Sequence, residues 1–327
     1  MACSRILNDF RPLDRIIDEI LGESSPLERE RYLTAALAQH CFRGGVRYEI
    51  LASAIGRDGL KEQLRNDHVL PLTFYDDRSN SFVIPQNATI ANRILQLQAE
   101  SNQSGLLEIF VNLANALAPR VNRRNLRRRS PESRLAGRLF DFDSVTGALL
   151  KDMAFEFYQR SQDAWQWNSR YWEQIALLHL ARHYIFPETP DGLSELETAA
   201  QHARHAVAVE RHPLPLTTLG KILLVQMNIR GFSLVSSYNE AFEHLTEAIR
   251  LEKAWSRKAI QPYVSLFRGT TEFLLQRGNL SMQQLDAIAS LSKDAEKTFG
   301  RDEEMQDVLA ALRMVCPQIA PPVVKNT

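Results

Sequence analysis

Four histidines have the spacing of a metal site. His179 and His183 stand four residues apart on one expected helix, and His202 and His205 three apart on the next. On antiparallel helices such pairs can bring ring nitrogens to a shared point, as zinc requires. The repeat pattern described below sets His179 on a core-facing position, which leaves it and His183 no need to face the second pair. No metal ligand is assigned, and no cofactor is expected. A second concentration is cationic: Arg120, Arg123, Arg124, Arg127, Arg128, Arg129, Arg134 and Arg138 fall within one short stretch. At helical spacing the first five share a face, and guanidiniums offer planar paired donors to phosphate or carboxylate. Arg123, Arg124, Arg127 and Arg128 are therefore candidates for a phosphate contact or, alternatively, for an interdomain face paired with carboxylates or a solvated hinge. With no interleaved aromatics to stack bases, the alternative to phosphate is favoured.

Catalytic signatures do not occur. The sequence holds no Gly-x-x-x-x-Gly-Lys-Ser/Thr, no Gly-x-Gly-x-x-Gly after a strand, no Gly-x-Ser-x-Gly and no His-Glu-x-x-His, so no catalytic residue is assigned and the chain reads as a non-enzyme. Lys plus Arg equals Asp plus Glu at 39 each, which removes any whole-chain electrostatic case for nucleic acid or an anionic membrane. Cys3, Cys41 and Cys316 are few, odd in number and far apart, as in a reducing compartment. The N-terminus has no apolar h-region and no apolar run reaches membrane length, so a cytoplasmic protein without a membrane partner is expected.

The elements that must position these residues are mainly helical. From Trp165 to Leu178 a new helical period begins, with Trp172, Ile175, Ala176 and His179 on one face. The same offsets return as Leu216, Leu219, Gly220 and Leu223, and each set is followed by a helix with small residues in register: Ala199, Ala203 and Ala206, then Ala241, Leu245 and Ala248. Ala176 to Gly220 is 44 positions and Ala206 to Ala248 is 42. This is the spacing of tetratricopeptide-like helix pairs, whose small residues let helices approach closely. A weaker third pair carries Tyr263, Leu266, Phe267 and Phe273, then Leu285, Ile288, Leu291 and Ala295, and a helix over 302–315 caps the array.

Upstream, Ser25-Pro26 with Glu28 starts a helix. Short helices at Tyr48–Ile55 and Leu60–Asn66 flank a glycine turn, and strands 69–75 and 81–84 form one β-hairpin. Three helices and a hairpin read as a winged-helix module. Its second short helix would be the DNA reader, but Lys61, Arg65 and His68 are offset by Asp58, Glu62 and Asp67, too few net cations for phosphate neutralisation. The expected division is a winged-helix domain over 1–100, a helical adaptor with the arginine-rich stretch over 101–168, tetratricopeptide-like repeats with a capping helix over 169–316, and a flexible tail over 317–327.

Three segments carry a resemblance: Phe82-Val-Ile-Pro-Gln-Asn-Ala-Thr-Ile-Ala-Asn-Arg-Ile-Leu95 after the hairpin, Arg134-Leu-Ala-Gly-Arg-Leu-Phe-Asp141, and Trp167-Asn-Ser-Arg-Tyr-Trp-Glu-Gln174. With the order winged helix, adaptor, repeats, the chain resembles the C-terminal half of STAND-type signalling NTPases, including bacterial antiphage-defence proteins. The resemblance implies a winged helix packed on a nucleotide-bound P-loop domain, repeats that sense a ligand, and oligomerisation that switches on an effector. The sequence has no P-loop or effector domain, and Asn87 stands where members often carry His. The expected partner is thus a P-loop NTPase domain, in cis if the chain is a fragment or in trans.

The expectation is a non-catalytic sensor and regulatory module whose repeats bind a protein or peptide. The alternative is a DNA-binding winged-helix regulator with a repeat-type ligand domain. Specificity in such arrays comes from side chains that packing does not consume, on the exposed face of each first helix and in the interhelix linkers. The linkers read as long, about Leu180–Glu195 and Val225–Tyr238, and Phe186, Phe232 and Tyr238 are their candidate partner-binding anchors.

Overall fold

The computed structural model describes residues 13–56, 70–77, 80–124 and 130–319. It is mainly helical, with one small three-stranded sheet. The chain divides into two compact units, 1–174 and 175–327.

In the first unit α1 (Leu13–Glu23) and α2 (Pro26–Cys41) precede β1 (Val46–Arg47) and α3 (Tyr48–Ile55). The start of α2 follows from its sequence: Ser25 accepts from Glu28 N while Glu28 reaches back to Ser25 N, with Pro26 in the first turn. That closes two of the donors a helix start leaves open. The strands β2 (Leu72–Asp77) and β3 (Asn80–Pro85) form the expected hairpin, and β1, which sequence periodicity is too short to reveal, adds to β3 through Val46 opposite Val83. All pairings are antiparallel, in the order β1-β3-β2. Helices α4 (Ala88–Ser101) and α5 (Gln103–Leu117) follow, then α6 (Pro131–Leu139), a π-turn at Phe142–Thr146, α7 (Gly147–Leu150) and α8 (Ala154–Trp165).

Two of the three segments singled out in the sequence meet in this unit. Asp141 caps the π-turn and takes Arg170 at 3.0 Å, and Gln174 accepts from Phe142 N at 2.7 Å. Burial alone would raise the Asp141 carboxyl, but the Ser144 hydrogen bonds and then the Arg170 and Arg138 charges hold it below its usual range. Beneath them Phe140 sits among Phe157, Tyr158, Trp165 and Tyr171, at ring-centroid distances of 4.8–6.3 Å. The polar tips of that cluster are satisfied by backbone carbonyls, Tyr158 to Phe140, Tyr171 to Tyr158 and Trp165 to Ala114, as buried tyrosine and tryptophan require.

From Ser169 the chain is a run of helices: α9 (Ser169–Ile185), α10 (Pro190–Val209), α11 (Pro213–Met227), α12 (Leu234–Ala254), α13 (Gln261–Leu275), α14 (Met282–Phe299) and α15 (Glu303–Val315). Within the second unit consecutive helices are antiparallel. His179 meets Glu195 and His183 meets the Gly192 carbonyl; His212 meets Trp255 while Gly220 lies against Leu245. Alternate helices are parallel, with Arg204 of α10 and Arg211 just beyond its end turned to Glu240 and Glu247 of α12. The small residues Ala176, Ala199, Ala203, Ala206, Ala241 and Ala248 are all buried. At Gly220 a Cβ would fall 2.5 Å from Leu245 Cγ, so only glycine permits this approach of α11 to α12. Tyr263, Leu266, Phe267, Phe273, Ile288 and Ala295 join the same core, and α15 closes it with Met305, Leu309 and Leu312.

The connections are shorter than the sequence suggests. Pro190 belongs to the first turn of α10, capped by Thr189, and Ser233 caps α12. The expected long linkers are therefore tight turns of four and six residues, between Ile185 and Pro190 and between Met227 and Leu234. Among the described residues no helix is long and apolar enough to cross a membrane. The expected helix Leu60–Asn66, with Lys61, Arg65 and His68, and most of the tail lie outside the described residues.

Candidate functional site

The first helices of three successive pairs, α9, α11 and α13, line a groove of about 370 Å³. Its floor is apolar, from Leu180 of α9, Leu224 and Val225 of α11 and Val264 of α13. Gly269 brings α13 close, since a Cβ there would lie 2.4 Å from Leu224 Cδ2. The rim is polar and bridged from helix to helix. Lys221 Nζ donates to Gln261 Oε1 at 3.3 Å, Asn228 Nδ2 donates to Glu272 Oε2 at 2.8 Å, and Gln276 in turn donates to Asn228 Oδ1. Arg268 meets Glu304 of α15 at 3.3 Å. Tyr184, 58% exposed, stands at the α9 side. An apolar floor with convergent amide, cationic and carboxylate groups on its rim is what a binding site for a polypeptide segment needs.

The three anchors expected in the linkers part company. Phe186 is exposed, in the turn after α9, where its carbonyl accepts from both Thr189 N and Thr189 Oγ1. Phe232 is half-buried, packed on the core and lining a separate recess of about 350 Å³ with Arg204 and Glu240. There the Arg204 hydrogen bond holds the Glu240 carboxyl below its usual range. Tyr238 is no surface anchor. It lies inside α12, 1% exposed, sharing a hydrogen bond with Thr270 at 2.9 Å and stacked on Phe273 with centroids 3.9 Å apart. The groove's own polar residues, Lys221, Asn228, Arg268 and Glu272, carry no local sequence signal. Only the stacking of helices some forty residues apart makes them neighbours.

Three of the four histidines join α9 to α10, and His205 is exposed on α10. His179 pairs with Glu195, which also takes Arg182 at 3.3 Å, and His183 Nδ1 lies 2.8 Å from the Gly192 carbonyl. His202 stacks on His179 at 5.2 Å; burial first, then the neighbouring His179 and His205, push it down to about 4. Among the described residues no group of three or more His, Cys, Asp or Glu is arranged to hold a metal ion.

Arg120, Arg123 and Arg124 are exposed in turns after α5, so the helical arginine face does not form at that end. Among the described residues no carboxylate lies within ion-pair reach of Arg123 or Arg124. Arg127 and Arg128 lie outside the described residues. In comparisons with known proteins, the chain matches no family model and no curated protein.

Proposed function

We propose that this chain is a non-catalytic sensor module whose helical array, read as tetratricopeptide-like, binds a segment of another protein in the groove formed by α9, α11 and α13. The observation that carries the reading is the groove itself: about 370 Å³, an apolar floor, and a rim of side-chain amides and charges set on rigid helices. The first unit, read as a winged helix followed by a helical adaptor, would couple occupancy of the groove to a P-loop NTPase domain, in the manner of the STAND-type signalling proteins it resembles. Its helix-strand-helix order followed by the β2–β3 hairpin supports the winged-helix reading. Antiphage defence is the setting that the resemblance suggests.

A second reading has one observation in its favour. Arg123 and Arg124 are exposed and have no acidic partner among the described residues, as a phosphate contact would require. On that reading the chain is a winged-helix DNA-binding regulator.

The test of the first reading is selection of displayed random peptides on the immobilised full chain. The double variant Tyr184→Ala/Asn228→Ala alters two exposed groove residues and should lower the affinity of the enriched sequences by about tenfold without loss of helicity. Enriched peptides that bind the variant as they bind the parent, or no enrichment at all, would remove the groove as the site.

A further inference from the structure

The two ends of the groove differ in charge. Lys221 with Gln261 and Asn228 with Glu272 are both cross-helix bridges between α11 and α13, and their numbers rise together, so those helices run parallel. Helix α9 runs the same way, because α9 and α11 are each antiparallel to α10. One end of the groove therefore gathers three helix C-termini. Tyr184 is in the last turn of α9, Asn228 is the C-cap of α11, and Glu272 is in the last turn of α13. The aligned peptide dipoles of a helix leave partial negative charge at its C-terminus, which favours a cation.

Glu272 adds a full charge at that end. It is half-buried, and among the described residues no Lys, Arg or His lies within ion-pair reach of it. Its neighbour on the same helix differs, since Arg268 already has Glu304. Asn228, itself held by Gln276, fixes one oxygen of the Glu272 carboxylate. The exposed ring of Tyr184 lines the same end, and an aromatic face attracts a cation at about 6 Å or less. A carboxylate without a basic partner, set in advance by an amide and flanked by an aromatic ring and three helix C-termini, is complementary to a Lys or Arg side chain.

We propose that the groove selects a protein segment in which a basic side chain, flanked by apolar residues, docks its cation on Glu272 beside Tyr184 while the apolar neighbours lie on Leu180, Leu224, Val225 and Val264. This rests on the groove being the binding site. Its test uses three dye-labelled, end-blocked heptapeptide pools, with Leu, Val and Ala mixed at the flanking positions and arginine, uncharged citrulline or glutamate fixed at the centre. Fluorescence anisotropy is read against the full chain. The arginine pool should bind about tenfold tighter than the citrulline pool. Glu272→Gln, which keeps an acceptor for Asn228, should bring the two within about twofold in a variant with the helix content of the parent. Equal binding of arginine and citrulline pools, a preference for glutamate, or a preference for arginine that survives Glu272→Gln would overturn the proposal and leave the groove reading standing. No binding of any pool would overturn both.

Discussion

The Tyr238 hydroxyl is shared with Thr270 and its ring lies flat on Phe273, so truncation there opens a cavity and removes a buried hydrogen bond, leaving Thr270 only its bond to the Leu266 carbonyl. Tyr238→Ala should cost roughly 3–5 kcal/mol, whereas Phe186→Ala, at a site 60% exposed, should stay within about 0.5 kcal/mol of the parent. Chemical denaturation of the two variants checks this, and similar losses for both would mean that Phe186 also packs. In the sequence the two aromatics read alike, each beside turn-forming residues. The difference is that Ser233 begins a helix, so the serines near it are its first turn and Tyr238 is already inward-facing. A cap and a loop share composition, and periodicity over one helical turn is too short to tell them apart. Thr189-Pro190 misleads in the same way, since proline in the first turn starts a helix as readily as it ends one.

At the scale of the helix pair, the recurrence of small residues was fully legible, because close approach leaves a mark at each contact. Gly220 is the sharpest case. Gly220→Leu should cost roughly 1–3 kcal/mol by overpacking Leu245, against a helix-propensity gain of about 1 kcal/mol. Gly137 is the control: it also lies within a helix, but a Cβ there meets nothing within 4 Å. Gly137→Ala should therefore gain about 0.5–1 kcal/mol. Melting temperatures that move in opposite directions for the two variants check both statements, and a Gly220→Leu variant that melts at or above the parent would refute the close contact. The groove was legible only as a class of surface, the exposed face of each first helix. Which side chains share it depends on the parallel stacking of α9, α11 and α13, and single-sequence periodicity holds no information on that.

For the whole molecule, zero net charge leaves the arginine stretch as the one local case for nucleic acid. Changing Arg123, Arg124, Arg127 and Arg128 to Gln should leave retention on duplex DNA unaltered if they face another domain. If they hold phosphates, the slope of log affinity against log salt should shrink by roughly four times 0.9. Filter binding across a salt series checks it, and a steep parental slope that the variant loses would favour the DNA-binding reading over the sensor reading.

The aromatic cluster around Phe140 also has an optical consequence. Three of the four tryptophans, Trp165, Trp167 and Trp172, precede Gln174, and Trp165 is fully buried; the fourth, Trp255, is 40% exposed with the Arg257 guanidinium 5.1 Å from its ring. Indole emission shifts to the red when a buried ring meets water, so the shift reports almost entirely on residues 1–174. Far-ultraviolet dichroism reports helices throughout the chain. The same sample thus carries a colour for one unit and a helix signal for both, and any gap between the two melting curves times the loss of one unit against the other without a label.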